Sequence, residues 1–227
     1  VMVVELSLLQ IIPGLLLALH YFIQISRPNW GFLSDKGGNR TFWIIIGVII
    51  LCLGSVLACI GILFIPENYL FGLTISIFAY TLIGIGVGAS GTSLLAFLAT
   101  RTDNSKKAAA ATITWIMMIF GAAFTAIFVG KIIDPYSIEK LLKIVTIISL
   151  FWIITSFITL YKLENTHKQK VLDRFEPVSI TFYQGLKQVL LEQNTRWFTI
   201  FVFLSMTAYF MQEPILEPYA GLIFKFS

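Results

Sequence analysis

The stretch Gly31-Phe-Leu-Ser-Asp-Lys-Gly-Gly-Asn-Arg40 is the one compact polar, glycine-rich and charged island before Arg101, and long apolar runs flank it on both sides. Asp35, Lys36 and Arg40 would each cost about 2.5–3.5 kcal/mol at the centre of a bilayer. Gly31, Gly37 and Gly38 supply the conformational freedom that a tight turn needs. The stretch therefore reads as a short hairpin between two membrane spans, and the helix arriving from Pro13 is expected to stop near Trp30.

Composition carries that reading outward. With 57% hydrophobic and 12% charged residues and a mean hydropathy of +0.86, the chain has about half the charge of a soluble domain. The fold class is an all-α membrane protein. A first span ends within residues 1–9, too few to cross alone. A second is expected over 13–30, a third over 41–63, a fourth over 69–100, a fifth over 108–129 and a sixth over 141–163. Residues 164–196 are polar, but Phe182, Leu186, Val189, Leu190 and Gln193 recur at helical spacing, as in an amphipathic helix lying on the membrane surface. A seventh span follows over 197–224, interrupted by Pro214 and Pro218. The expected organisation is a six-helix half over 1–163 with its first helix truncated, a linker over 164–196, and the first helix of a second half over 197–227.

The net charge of +4 does not indicate a nucleic-acid partner, because the basic residues sit in short loops beside apolar spans. Arg27, Lys36, Arg40, Arg101, Lys106 and Lys107 lie on the hairpin side, as do Lys162 at the end of the sixth span and the linker's Lys168, Lys170, Arg174, Lys187 and Arg196. The opposite loops and adjoining span ends have Lys131, Lys140 and Lys143, with Lys225 emerging on that side after the seventh span. The positive-inside rule then puts loop 31–40 and linker 164–196 in the cytoplasm, with the lipid bilayer as the surrounding medium. Cys52 and Cys59 share one apolar run and read as packing residues, with neither a metal site nor a disulfide framework implied.

Gly86-Val-Gly88-Ala-Ser-Gly91 matches the spacing of a dinucleotide-binding loop, but it lies inside an apolar run with no strand before it. Gly84 with Gly88, and Gly86 with Ser90, instead form small-xxx-small pairs for close helix packing. His20, Gln24 and Arg27 share one face of the second span. An intramembrane histidine is a functional candidate, and neutral imidazole ligates metals, including the magnesium of a chlorin. Hydrogen bonding to a neighbouring helix is the alternative. Glu213 and Glu217 share a face of the seventh span beside two prolines. They suit a proton pathway, a cation site or a docking surface, or a structural role; Glu5 is a weaker case of the same kind. No catalytic residue is identified.

The spacing Gly-x-Leu-Ser-Asp-Lys-x-Gly-x-Arg resembles the loop signature of the major facilitator superfamily, between the second and third spans of the first six-helix half. The resemblance implies that Asp35, Lys36 and Arg40, with Gly31 and Gly38, bias an inward/outward equilibrium by pairing with cytoplasmic helix ends. Asn39 stands where a second basic residue is usual. Further stretches resemble one branch, the PucC/LhaA or bacteriochlorophyll-delivery family of phototrophs: Val1-Met-Val-Val-Glu-Leu, Leu17-Ala-Leu-His-Tyr, Arg27-Pro-Asn-Trp-Gly-Phe-Leu-Ser-Asp, Gly84 to Leu95, Ala108 to Met118, and Leu216-Glu-Pro-Tyr-Ala-Gly-Leu.

That resemblance implies the amino-terminal six helices plus the seventh of a twelve-helix protein, in the cytoplasmic, intracytoplasmic or thylakoid membrane of a phototroph. It implies a non-enzymatic assembly factor that handles chlorophyll or bacteriochlorophyll and serves light-harvesting antenna polypeptides. A second reading is a proton-coupled transporter of a small, lipophilic solute that uses Glu213, Glu217 or His20. A third, a prenyl transferase of pigment synthesis, needs Asp-rich diphosphate motifs, and the cytoplasmic loops hold only isolated acids.

Overall fold

The computed structural model describes residues 2, 6, 8, 9, 11–37, 39–161 and 182–211, and every regular element among them is helical. The chain divides into two units, Val1–Glu176 and Pro177–Ser227. In the first, α1 (Ile11–Ile23) passes through a 3₁₀ turn (Gln24–Ser26) into α2 (Arg27–Gly37). Then come α3 (Arg40–Phe64), α4 (Tyr69–Arg101), a second 3₁₀ turn (Asn104–Lys106), α5 (Lys107–Ile133) and α6 (Ile138–Leu160). The second unit holds α7 (Phe182–Leu191) and α8 (Gln193–Met211). Four of these segments, Arg40–Phe64, Tyr69–Arg101, Asn104–Ile133 and Ile138–Leu160, are long and apolar enough to cross a membrane.

The hairpin is narrower than the sequence indicates. Residues 31–37 are helical, and among the described residues only Asn39 separates α2 from α3. The helix does not stop at Trp30, because Gly31 serves close packing instead of a turn: a methyl group there would lie 3.2 Å from Thr92 Cγ2 of α4. The interruption comes earlier, at Gln24–Ser26. Pro28 has no N–H to offer the Gln24 carbonyl, which accepts from the Arg27 N–H in a 3₁₀ turn instead. The fifth span is also longer than expected, running through Gly130 and Lys131 until Pro135 forces Asp134 into extended backbone (φ −79°, ψ 130°). The sixth begins and ends about three residues early. The expected first span, with Glu5, and the continuation of the seventh beyond Met211 lie outside the described residues. Met2, though, is buried against Leu16 and Ile65.

Helix α4 is the centre of the first unit. Gly47, Gly54 and Gly61 recur every seven residues on α3 and so stay on one face of it. Against them α4 sets Ser90 and Gly86, then Ala79 and Ile83, then Ser76 and Gly72. The backbones touch: a methyl on Gly47 would lie 2.5 Å from the Ser90 nitrogen, and one on Gly86 would lie 2.5 Å from the Leu51 nitrogen. Ser76 and Ser90 donate to the carbonyls of Gly72 and Gly86 within α4, at 2.9 and 2.7 Å, so their hydroxyls enter the seam already satisfied. The short α3–α4 turn is fixed by Asn68, whose Oδ1 accepts from the Phe71 N–H, and by the edge-on contact of Phe64 with Phe71. Helix α6 packs on the far side of α3, where the buried Cys52 thiol donates to the Ser149 carbonyl at 3.6 Å. Cys52 and Cys59 are both buried and unbridged, in keeping with a packing role.

Candidate functional site

Gly84, Gly86 and Gly88 divide between two faces of α4. Gly86 faces α3, whereas a methyl on Gly84 would lie 2.9 Å from the His20 carbonyl oxygen, and one on Gly88 would meet the Trp30 indole at 3.4 Å and Arg27 Cγ at 3.7 Å. The pairs Gly84/Gly88 and Gly86/Ser90 thus do what small-xxx-small pairs do, each for a different partner. Their consequence is that the broken helix α1–α2 lies flat on α4 with His20, Gln24 and Arg27 at the break.

Within that face Gln24 and His20 are in contact. The Gln24 side-chain amide lies 2.6 Å from His20 Nε2, in hydrogen-bond contact. Whichever group holds the proton between them, the contact occupies the Nε2 edge of the ring. The Tyr21 ring is 5.1 Å from the imidazole. One turn on, Ser26 Oγ donates to the Ile23 carbonyl at 2.7 Å and accepts from Trp30 Nε1 at 3.0 Å, and Trp30 in turn lies against Trp43 of α3. The aromatic pair closes the α2–α3 junction. Arg27 lays its stem over Gly88 and is itself exposed. Sequence periodicity placed His20, Gln24 and Arg27 on one face. It gave no indication of the break between them, although Pro28 was the available signal.

The second polar constellation is at the other end of α2. Arg40 Nη2 and Nε donate to Asp35 Oδ1 at 2.6 and 3.1 Å. Its Nη1 reaches across to the end of α4, donating to the Ala96 carbonyl at 3.0 Å and to Thr100 Oγ1. Arg40 is 19% and Asp35 45% exposed, so this is a half-buried clamp. A cation at the start of α3 would be unfavourable against that helix's own dipole. Directed at the last carbonyls of α4 and paired with Asp35, it is favourable at both contacts. Sequence reasoning placed Asp35 and Arg40 in one loop and missed Thr100 and Ala96, more than fifty residues away. Lys36 continues α2 beside Asp35; Gly38, Glu213 and Glu217 lie outside the described residues.

The last feature is an open apolar groove of about 800 Å³ between α5 and α6, lined by Met117, Gly121, Thr125, Val129 and Trp152 among others. Among the described residues no group of three His, Cys, Asp or Glu side chains is arranged to hold a metal ion.

Three comparisons bear on these features. The PUCC protein family model matches residues 1–227. The chain is 51% identical over its whole length to the "Bacteriochlorophyll synthase 44.5 kDa chain" of Rhodobacter capsulatus, covering 52% of that protein. It is 24% identical over 97% of its length to "Protein PucC" of Cereibacter sphaeroides, covering 50% of it. It thus spans about half the length of these relatives. No solved structure matches. A match that takes in the clamp, the seam and the broken helix alike establishes that the chain belongs to the PUCC protein family.

Proposed function

We propose that the chain is part of a membrane assembly factor with a major facilitator fold that carries bacteriochlorophyll as cargo and delivers it to light-harvesting antenna polypeptides. The observation that carries this reading is the imidazole of His20, in contact with Gln24 beside the break of an apolar helix. The name of the 51%-identical relative supports bacteriochlorophyll over chlorophyll. The donor set fits such a cargo: the central magnesium of a chlorin takes an axial donor, and uncharged imidazole is one. Gln24 contacts the ring, Gly84 lets the backbone of His20 approach α4, and the exposed Arg27 would supply hydrogen-bond donors to the pigment's carbonyl oxygens. We further propose that the chain has no catalytic role of its own and that the clamp end and the linker face the cytoplasm.

An absorption spectrum of the full-length protein, gently purified from its phototroph beside His20→Leu, tests this. Chlorin bands in the wild type that shift or vanish in the variant are expected. A colourless preparation free of antenna polypeptides would overturn the reading. It would favour the second one, a proton-coupled transporter, for which the specific observation is the Arg40 clamp on the end of α4. Solute-driven proton flux abolished by Glu213→Gln would then be the expected result.

A further inference from the structure

The Gln24–His20 hydrogen bond bears directly on any ligand of that imidazole. A pyridine-type ring nitrogen has one lone pair in the ring plane, and an N–H accepted there uses the same pair that a metal needs. With the Gln24 amide 2.6 Å from His20 Nε2, that nitrogen is unavailable to magnesium until the amide leaves. The position of Gln24 makes leaving feasible. It is the first residue of the 3₁₀ turn, where its carbonyl is bound by the Arg27 N–H and not by a residue one turn ahead. The two helices that meet there are held to α4 separately, α1 where the His20 carbonyl meets Gly84, and α2 where Trp30 meets Gly88 and Gly31 meets Thr92. Breaks of this kind, at a proline, are where helices bend.

We propose that Gln24 is a positioning residue that competes with the pigment's magnesium for His20 Nε2, so that forming the Gln24–His20 hydrogen bond releases bacteriochlorophyll and opening it admits bacteriochlorophyll. This rests on the reading of His20 as the pigment's ligand and adds how that ligand is regulated. A carrier has to give up its cargo, and an internal competitor of moderate strength weakens binding without abolishing it.

The test uses the full-length protein in lipid nanodiscs, titrated with bacteriochlorophyll and followed by the absorption shift of axial ligation and by the dissociation rate. Gln24→Met keeps the length and removes the hydrogen bond. It should bind about two- to tenfold more tightly than wild type, the range one net hydrogen bond allows, with the same band position at saturation. Gln24→Glu keeps the shape, but its carboxylate accepts from a protonated Nε2, so affinity should be no higher than wild type. Gln24→Glu binding as tightly as Gln24→Met would overturn the proposal, because packing and not competition would then set affinity. Gln24→Met binding no more tightly than wild type, while His20→Leu binds weakly, would overturn the competition and leave His20 as the ligand. His20→Leu binding like wild type would overturn the ligand assignment, and the competition with it.

Discussion

Helices α4 and α5 are both long, apolar and rich in small residues, yet they sit in opposite surroundings. On α4, Gly72, Ser76, Ala79, Gly84, Gly86, Gly88, Ala89 and Ser93 are buried. On α5 no residue is, although Gly121, Ala122, Ala126 and Gly130 follow similar spacings. A methyl on Gly86 would run into the backbone of α3, whereas Gly121 and Gly130 have nothing within 4 Å among the described residues. Small residues permit close approach but do not cause it. What α4 has in addition is a partner with small residues in matching register: Gly47, Gly54 and Gly61 on α3, joined to it by a turn of four residues, 65–68. Among the described residues the glycines of α5 face no such row. Phe120, Phe124 and Phe128 stack along it at 6.4 and 6.1 Å, a ladder of large side chains that fits lipid or a partner surface.

The largest expected effect breaks the seam. Gly86→Leu should destabilise the full-length protein by an amount at or above the ~1–3 kcal/mol typical of overpacking, because the atoms it meets are backbone and cannot rotate away. Unfolding in graded detergent denaturant measures it. Gly86→Leu with wild-type stability would mean that the α3–α4 backbones do not touch as described.

A second way to sharpen the comparison is to cut the α3–α4 pair at its end and leave the seam alone. Arg40→Ala removes a half-exposed ion pair, worth about 0–1 kcal/mol, and charge-assisted bonds to α4 worth more. We expect a loss of about 1–2 kcal/mol, smaller than for the seam. Arg40→Lys should recover only part of it, since an ammonium cannot serve Asp35 and the α4 carbonyl with one rigid fork. Full recovery by lysine would reduce the clamp to a point charge.

These sites also show where the sequence was sufficient and where it was not. The ends of α3 and α4 were legible to within a residue, because charged loops and Asn68 stop apolar runs sharply. The two packing faces of α4 were legible as small-residue pairs, but not which helix each face meets, since that depends on register between segments dozens of residues apart. Asp35 and Arg40 were legible as a local pair; their tie to Thr100 was not, for the same reason. The turn at Gln24–Ser26 was missed because apolar periodicity runs straight through it, and only the missing N–H of Pro28 betrays it. The Gln24–His20 contact follows from spacing alone, four residues on one face, yet spacing does not say that the two side chains bond to each other and not to a neighbouring helix.

The smallest expected effect falls on α5 and tests the comparison from its other side. Gly121→Ala adds a methyl where there is open space and removes a glycine from a helix interior, a change worth about 0.5–1 kcal/mol in favour of the helix. Unfolding of the full-length protein should therefore move slightly towards greater stability or not at all. Gly121 lies on the α5–α6 groove with Met117, Thr125 and Trp152, so the same variant reports on what fills that groove in the whole protein. A loss of stability approaching that of Gly86→Leu would mean that residues beyond those described bring a second backbone against α5. Its small residues would then be a seam as well, and the difference between the two helices would lie in which part of the protein supplies the partner.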